Sequence, residues 1–272
     1  MKKSAWSNFI LVLVLLVGLS LLLYPSFSDY WNSLHQSRAI TVYADKVAEL
    51  EKEDYDHIFQ DAVAYNRELL SRENQFSLTP SQRAAYPELL NLAENGIMGY
   101  IEIPSIKCSL PIYHGIDEAV LQVAIGHIEW TSLPTGGIST HCVLSGHRGL
   151  PSAKLFSELD QLREGDLFML RVLDELFTYE VDRILIVEPD QVDALLIEEG
   201  KTLCTLVTCT PYGVNTHRML VRGHRVENPK EALKVRITAD AIQVEPLVVA
   251  PIVALPMLIL ILPMLLGGRK KR

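Results

Sequence analysis

Two charge-free apolar runs bracket the chain, and the periodicity changes between them. Phe9 to Tyr24 is apolar except for Gly18 and Ser20, and it follows Lys2, Lys3 and Trp6. Taken from Ala5 to Phe27 it reaches the roughly 20 residues a bilayer requires, which predicts a transmembrane anchor over 1–27. A cleaved signal peptide is the rival reading; Tyr24-Pro25-Ser26-Phe27 lacks the small-residue cleavage pattern, which favours an uncleaved anchor. Pro246 to Leu266 is the second run, closed by the basic tail 267–272. Its prolines predict an irregular helix, which a membrane tolerates better than a soluble core does. With both basic ends on the cytoplasmic side, the stretch from about Ser28 to Glu245 is expected to face outward, with lipid as partner of both runs.

Between the runs the pattern is first helical and then extended. Over 28–73, Ile40, Tyr43, Val47 and Leu50 keep a helical spacing, and Ile58, Phe59, Ala62 and Val63 form a second face. The acidic cluster Glu49, Glu51, Glu53, Asp54 and Asp56 divides them and reads as a solvated face and turn. Residues 74–96 contain Pro80 and Pro87 and predict a loop with a short helical piece at Tyr86 to Leu92. From Gly99 onward, short alternating segments predict strands near Tyr100–Ile103, Ser109–Ile112, His141–Ser145, Leu167–Leu173, Phe177–Val187, Thr202–Thr208 and Met219–Val226. Two short helices are expected among them, near Asp117–Val123 and Lys154–Leu159. The spacing suits a mostly β fold closed as a barrel.

Composition narrows the function classes. The 272 residues suit one large domain with appendages, and the 49% hydrophobic content reflects the two ends. A net charge of -8 without a basic patch argues against a nucleic-acid partner. The four cysteines form no CxxC pair and no zinc-like spacing with the eight histidines, so neither a zinc site nor a disulfide scaffold is expected.

Candidate chemistry concentrates in Thr205 to Arg225. The strand through Leu206 and Val207 ends at Cys209, turns through Pro211, Gly213 and Asn215, and re-enters a strand at Met219. A thiol at a strand tip beside a cation is where a thiolate nucleophile can be presented, because a nearby positive charge favours the thiolate. Alternation sends His217 and Arg218 to opposite faces, with Thr216, Leu220 and Arg222 on the arginine's side. The bland alternative is a strand-end cysteine packed as a small hydrophobe beside a solvated arginine. A proton carrier is also required, and His147, His217 and His224 are open for it; His114, His127 and His141 read as structural.

Thr205-Leu206-Val207-Thr208-Cys209 with Arg218 downstream resembles the sortase signature, and Val143-Leu144-Ser145-Gly146-His147-Arg148-Gly149-Leu150-Pro151 is similar to the segment carrying the sortase histidine. From Gly99 to Arg225 the wording is similar to class C sortases, the pilin-polymerising branch, through Leu110-Pro111-Ile112-Tyr113-His114-Gly115 and Thr210-Pro211-Tyr212-Gly213. The resemblance implies a closed β-barrel of about eight strands over 97–228, a lid-like loop over 74–96 and a tether over 229–245. Class C lids are pinned by an Asp-Pro-aromatic triplet, which is absent; Phe76 or Tyr86 is left to cover the cleft, or the site is open.

The implied reaction is transpeptidation at an LPxTG-type sorting signal on a Gram-positive cell surface, without metal or cofactor. Cys209 would be the nucleophile, His147 the proton donor and acceptor, and Arg218 the oxyanion and substrate stabiliser, with Ser145, Thr208 and Thr210 lining the substrate. The implied partners are pilin subunits, one donating the sorting signal and the next a lysine amine. Three alternatives are an anchoring sortase using a cell-wall precursor amine, a non-catalytic membrane-tethered binding module and a hydrolytic cysteine protease. The fold implied by the resemblance also makes the strands before His147 and Cys209 neighbours, setting Cys142 beside Cys204; separate burial and a disulfide are both open.

Overall fold

The computed structural model describes residues 2–72 and 74–230; the tether beyond 230, the second apolar run at 246–266 and the basic tail lie outside the described residues. The described chain divides into two units, 2–24 and 25–230. The first belongs to α1 (Lys2–Glu49), whose apolar part is long enough to cross a bilayer and exposes its Leu and Val side chains.

The second unit is built on a closed barrel. Its strands are β1 (Ile97–Ile103), β2 (Cys108–His114), β3 (Ile125–His127), β4 (Thr140–Ser145), β5 (Leu167–Val172), β6 (Glu175–Val187), β7 (Thr202–Thr210) and β8 (His217–Val226). Their order around the barrel is β1-β2-β3-β4-β7-β8-β6-β5. Most neighbours are antiparallel, while β2 with β3 and β4 with β7 run parallel. Closure leaves no strand edge unpaired, which explains how a mostly antiparallel sheet stands in water without templating aggregation. The interior is filled by alternating residues including Ile101, Ile103, Leu144, Phe168, Leu170, Leu206 and Val221, all fully buried.

Helices buttress the barrel from outside. Beyond Tyr24, α1 carries Ile40 and Tyr43 against Ile97 and Tyr100. The Tyr43 hydroxyl donates to the Met98 carbonyl (3.0 Å) and accepts from the Leu173 amide (2.7 Å). After a break at Leu50 and Glu51 within the acidic cluster, α2 (Lys52–Leu70) packs Ala62, Tyr65 and Leu69 inward. Asn66, itself buried, donates to the Leu133 carbonyl (3.0 Å) and Thr135 Oγ1 (2.9 Å) and accepts from the Leu133 amide (2.8 Å), pinning the β3–β4 loop.

Several expectations needed correction. The loop region 74–96 holds an unexpected helix, α3 (Pro80–Ala85), begun by a capping box between Thr79 and Gln82 with Pro80 in the first turn; the short helical piece expected around Tyr86–Leu92 is a 3-10 turn, Tyr86–Glu88. Lys154–Leu159 forms isolated turns rather than a helix, closed by the Ser157 amide on the Lys154 carbonyl (2.8 Å) and the Leu159 amide on the Phe156 carbonyl (3.1 Å), while the Lys154 amide donates to Asp29 Oδ1 (2.7 Å). The strand β3 is too short for its alternation to be read. By contrast α4 (Glu118–Leu121) falls within the expected Asp117–Val123.

Two predictions follow from this packing. Asn66→Ala leaves the buried Leu133 amide without its acceptor and takes one donor from the Thr135 hydroxyl and from the Leu133 carbonyl, which keeps the Thr135 amide (2.8 Å), and should destabilise the domain by about 1–3 kcal/mol in denaturant unfolding. His141 donates from Nδ1 to the Leu196 carbonyl (2.8 Å) and accepts at Nε2 from Thr205 Oγ1 (2.7 Å). Burial, helped by the Arg222 charge, holds its pKa below the ordinary value. Its unfolded form therefore takes up protons first, so the stabilising contribution is complete above about pH 6.5 and is lost as pH falls through the lower folded value. The melting temperature should drop between pH 7 and pH 5, and His141→Gln should flatten that drop.

Candidate active site

The β7 register decides which side chains share a face. In its pairing with β8, Cys209 lies opposite Arg218 and Thr210 opposite His217. Directly opposed residues on antiparallel strands point to the same side with Cα atoms about 4.5–5.5 Å apart. Arg218, not His217, is therefore the strand neighbour of the thiol. Its Nη1 donates to the carbonyls of Asn215 (3.2 Å) and His217 (3.1 Å), which ties the guanidinium to the β7–β8 turn. His217 instead pairs with Glu188, Nε2 to Oε1 at 3.3 Å. His224 is opposite Leu203, six residues and about 20 Å along the strand from the Cys209 position.

On the other side of β7, the parallel ladder with β4 sets Ser145 opposite Val207, and the Gly146 amide extends it by donating to the Val207 carbonyl (3.0 Å). Two further residues along each strand bring His147 and Cys209 to the same end of the barrel. His147, Cys209 and Arg218 thus occupy three adjacent strand ends, β4, β7 and β8, and the thiol is central. Cys209 is half-buried, and the His147 side chain is 29% exposed.

Ser145 shares the outer face with Val207 and is half-buried beside the site. Thr208 points the opposite way, into the barrel, where its hydroxyl donates to the Gly146 carbonyl (2.8 Å). That bond holds the turn carrying His147. Thr210 is likewise buried and lies on the inner side of the same strand. Of the three threonine and serine positions, Ser145 is the one on the face of the thiol.

The same outer face continues away from Cys209 as an apolar cluster of Ile128, Val143, Leu195, Val207 and Leu220, with Trp130 and Leu185 packed against it. The β6–β7 connection covers it, held by Arg222, which is paired to Asp182 (2.9 Å) and Glu198 (2.7 Å). Residues ahead of α3 cross above this region. Gln75 Oε1 accepts from the Ile197 amide (3.0 Å), and the Phe76 ring meets Trp130 edge-on with centroids 5.0 Å apart. Tyr86 is not part of a cover: it is buried, donates to His127 and accepts from the Gly115 amide. Among the described residues, no hydrogen bond or ring contact joins 74–79 to Cys209. Phe76 therefore straps the apolar outer face rather than the thiol.

Sequence reasoning did not find the side chains that hold the His147 segment from outside. Asn32 of α1 donates to the Ser152 carbonyl (2.7 Å), Asp29 accepts from Lys154, and Arg148 is paired with Asp160 and lies over the Tyr212 ring at 5.7 Å. These are contacts across long sequence separations, and no local motif announces them. Cys142 and Cys204 are opposite each other inside the barrel, as β4–β7 adjacency implies, and both thiols are free. His114 sits between the Gly96 and Leu89 carbonyls and His127 between Tyr86 and Ser132, in structural positions.

A thiol with an imidazole on one flank and a guanidinium on the other can perform acyl transfer: the sulfur attacks a carbonyl, the imidazole handles the leaving proton, and the guanidinium faces the oxyanion. Comparison with known proteins identifies the family. The sortase domain family matches residues 101–226. The crystal structure of sortase C1 from Streptococcus agalactiae is 51% identical, covers 71% of this chain and 100% of that one, and superposes with a TM-score of 0.69. Sortase C of Clostridium perfringens, solved with a C-terminal cell wall sorting motif, is 40% identical, covering 70% of this chain and 99% of that one at a TM-score of 0.63. Sortase D of Bacillus subtilis is 32% identical over 131 residues, 47% of this chain and 63% of that protein's length. The chain belongs to the sortase family of cysteine transpeptidases, in its class C branch.

Gly146 offers a test of the His147 turn. A Cβ there would lie 2.7 Å from Phe156 Cδ2 and 2.8 Å from Ile125 Cγ2, both in the core. Gly146→Ala should cost about 1–3 kcal/mol of stability by overpacking and lower the rate of sorting-peptide cleavage by moving His147 off the thiol. Unchanged stability and rate would contradict the geometry.

Proposed function

We propose that this sortase is a pilin-polymerising transpeptidase. Cys209 attacks the Thr-Gly carbonyl of an LPxTG-type sorting signal, His147 protonates the departing glycine amine, and Arg218 hydrogen-bonds the oxyanion with a fork that lysine lacks. Ser145 lines the substrate beside the thiol. A lysine amine of the next pilin subunit then resolves the thioester to an isopeptide. The observation that carries this reading is the pairing of Cys209 with Arg218 on one face of β7–β8, with His147 next along the β4–β7 ladder. The sorting motif in the Clostridium perfringens structure supports the substrate class, and identities of 40–51% to class C structures favour polymerisation over cell-wall anchoring.

The apolar part of α1 anchors the domain to the membrane. With 246–266 as a second span, both termini lie in the cytoplasm and the barrel faces outward. The chain works without a metal or cofactor, and nucleic acid is not a partner.

The full chain, extracted in detergent and incubated with pilin subunits, should give a ladder of covalent multimers on a denaturing gel. Cys209→Ala should abolish the ladder, and Arg218→Lys should slow it by about 10²–10³-fold. A binding module would keep its pilin association in Cys209→Ala and give no ladder in either form. Monomeric hydrolysed product alone would mark a protease.

A further inference from the structure

Glu118 stands beside His147 on a platform that the rest of the domain holds still. Ahead of α4, the Gly115 amide donates to the buried Tyr86 hydroxyl (3.1 Å); behind it, the Val123 carbonyl accepts from Gln36 Nε2 of α1 (2.6 Å). At the end of α4 (Glu118–Leu121), Gln122 Nε2 donates to Glu118 Oε1, and Oε2 is the oxygen nearer His147. Oε2 lies 4.0 Å from His147 Nε2. That nitrogen is shielded from solvent and has no hydrogen-bond partner among the described residues, while the Glu118 side chain is 75% exposed.

The two groups are too far apart for a hydrogen bond and close enough to pair as ions when His147 is protonated, and the gap has a size. An amine nitrogen about 2.9 Å from each atom, the ordinary hydrogen-bond length, spans 4.0 Å in a bent arrangement. A small rotation of the exposed carboxylate opens the place. The charges beside the thiol are also divided: the Arg218 guanidinium is on the β8 flank and the Glu118 carboxylate on the β4 flank. A carbonyl gaining negative charge belongs on the first side and a cationic nucleophile on the second. Lysine side chains are cations at neutral pH, with an ordinary pKa near 10.4, so the acceptor must arrive charged and give up a proton at the site.

We propose that Glu118 is the docking carboxylate for the acceptor's ammonium group, seating its nitrogen between Glu118 Oε2 and His147 Nε2; this rests on the transpeptidase reading above. After acylation His147 is neutral, having given its proton to the leaving glycine amine. The docked ammonium transfers one proton to His147 Nε2, and the freed nitrogen lone pair attacks the thioester carbonyl. The tetrahedral intermediate breaks its C–S bond, the electron pair leaves on Cys209 as thiolate, and the second proton of the new amide nitrogen goes to solvent. The enzyme returns to thiolate and imidazolium, and no oxidant or cofactor enters.

The test separates the two half-reactions in the full-length protein. Acyl-enzyme is formed with a sorting-signal peptide and followed by mass, then resolved either with a lysine-containing acceptor peptide or with hydroxylamine, a nucleophile that is neutral at pH 7. In Glu118→Gln the KM for the lysine peptide should rise about fivefold to tenfold, while acylation and hydroxylamine resolution stay within about twofold of wild type. Glu118→Asp should restore part of the loss. Added salt should raise the lysine-peptide KM in wild type and leave it flat in Glu118→Gln. Equal use of lysine peptide by both proteins, or equal slowing with lysine and hydroxylamine, overturns the proposal alone. Failure of the wild type to form any acyl-enzyme overturns the transpeptidase reading and this proposal with it.

Discussion

The site depends on the register of one strand with two neighbours. β7 is parallel to β4 and antiparallel to β8, and side chains alternate with a period of two, so a slip of one residue on either side would turn every side chain to the wrong face. What prevents the slip is visible in the same strand. Cys204 and Leu206 are fully buried inside the barrel, while Val207 packs outside under the β6–β7 connection. Shifting β7 would expose or strand both sets, so hydrophobic burial fixes the position of the thiol relative to Arg218 and His147.

That constraint places strand ends, and loops must then be held. The His147 turn has no regular structure of its own; it is tied by Thr208 from within the barrel, by Arg148 with Asp160 at the surface, and by Asn32 and Asp29 of α1 from outside. The α4 platform is tied by Tyr86 and Gln36 in the same way. The part of α1 beyond Tyr24 therefore supports both of these loops. Preorganisation of this kind matters because acyl transfer requires the proton carrier within hydrogen-bond reach of the reacting atoms.

Much of this was legible in the sequence because it follows from alternation. Leu203, Leu206 and Val207 among β-branched threonines are enough to give β7, and the opposite-face rule for His217 and Arg218 leaves one of them for the thiol. The resemblance to class C sortases named His147, which alternation alone leaves level with His217 and His224. Short or tertiary features were not legible. β3 has three residues, one of them glycine, and α3 was hidden although Thr79, Pro80 and Gln82 form a readable capping box. The resemblance implied Thr208 and Thr210 as substrate-lining, yet period two sends them inward. Glu118 carries no local signal at all: an acid in a short helix is ordinary, and its meaning comes from the imidazole it meets in space.

The most direct measurement is the mass of Cys209 after brief exposure of the full-length protein to a sorting-signal peptide. The convergence of thiol, imidazole and guanidinium predicts an adduct on the Cys209-containing fragment equal to the peptide up to its threonine, released by hydroxylamine and greatly reduced in His147→Ala and Arg218→Ala. No adduct, or one on Cys108, Cys142 or Cys204 instead, would contradict it.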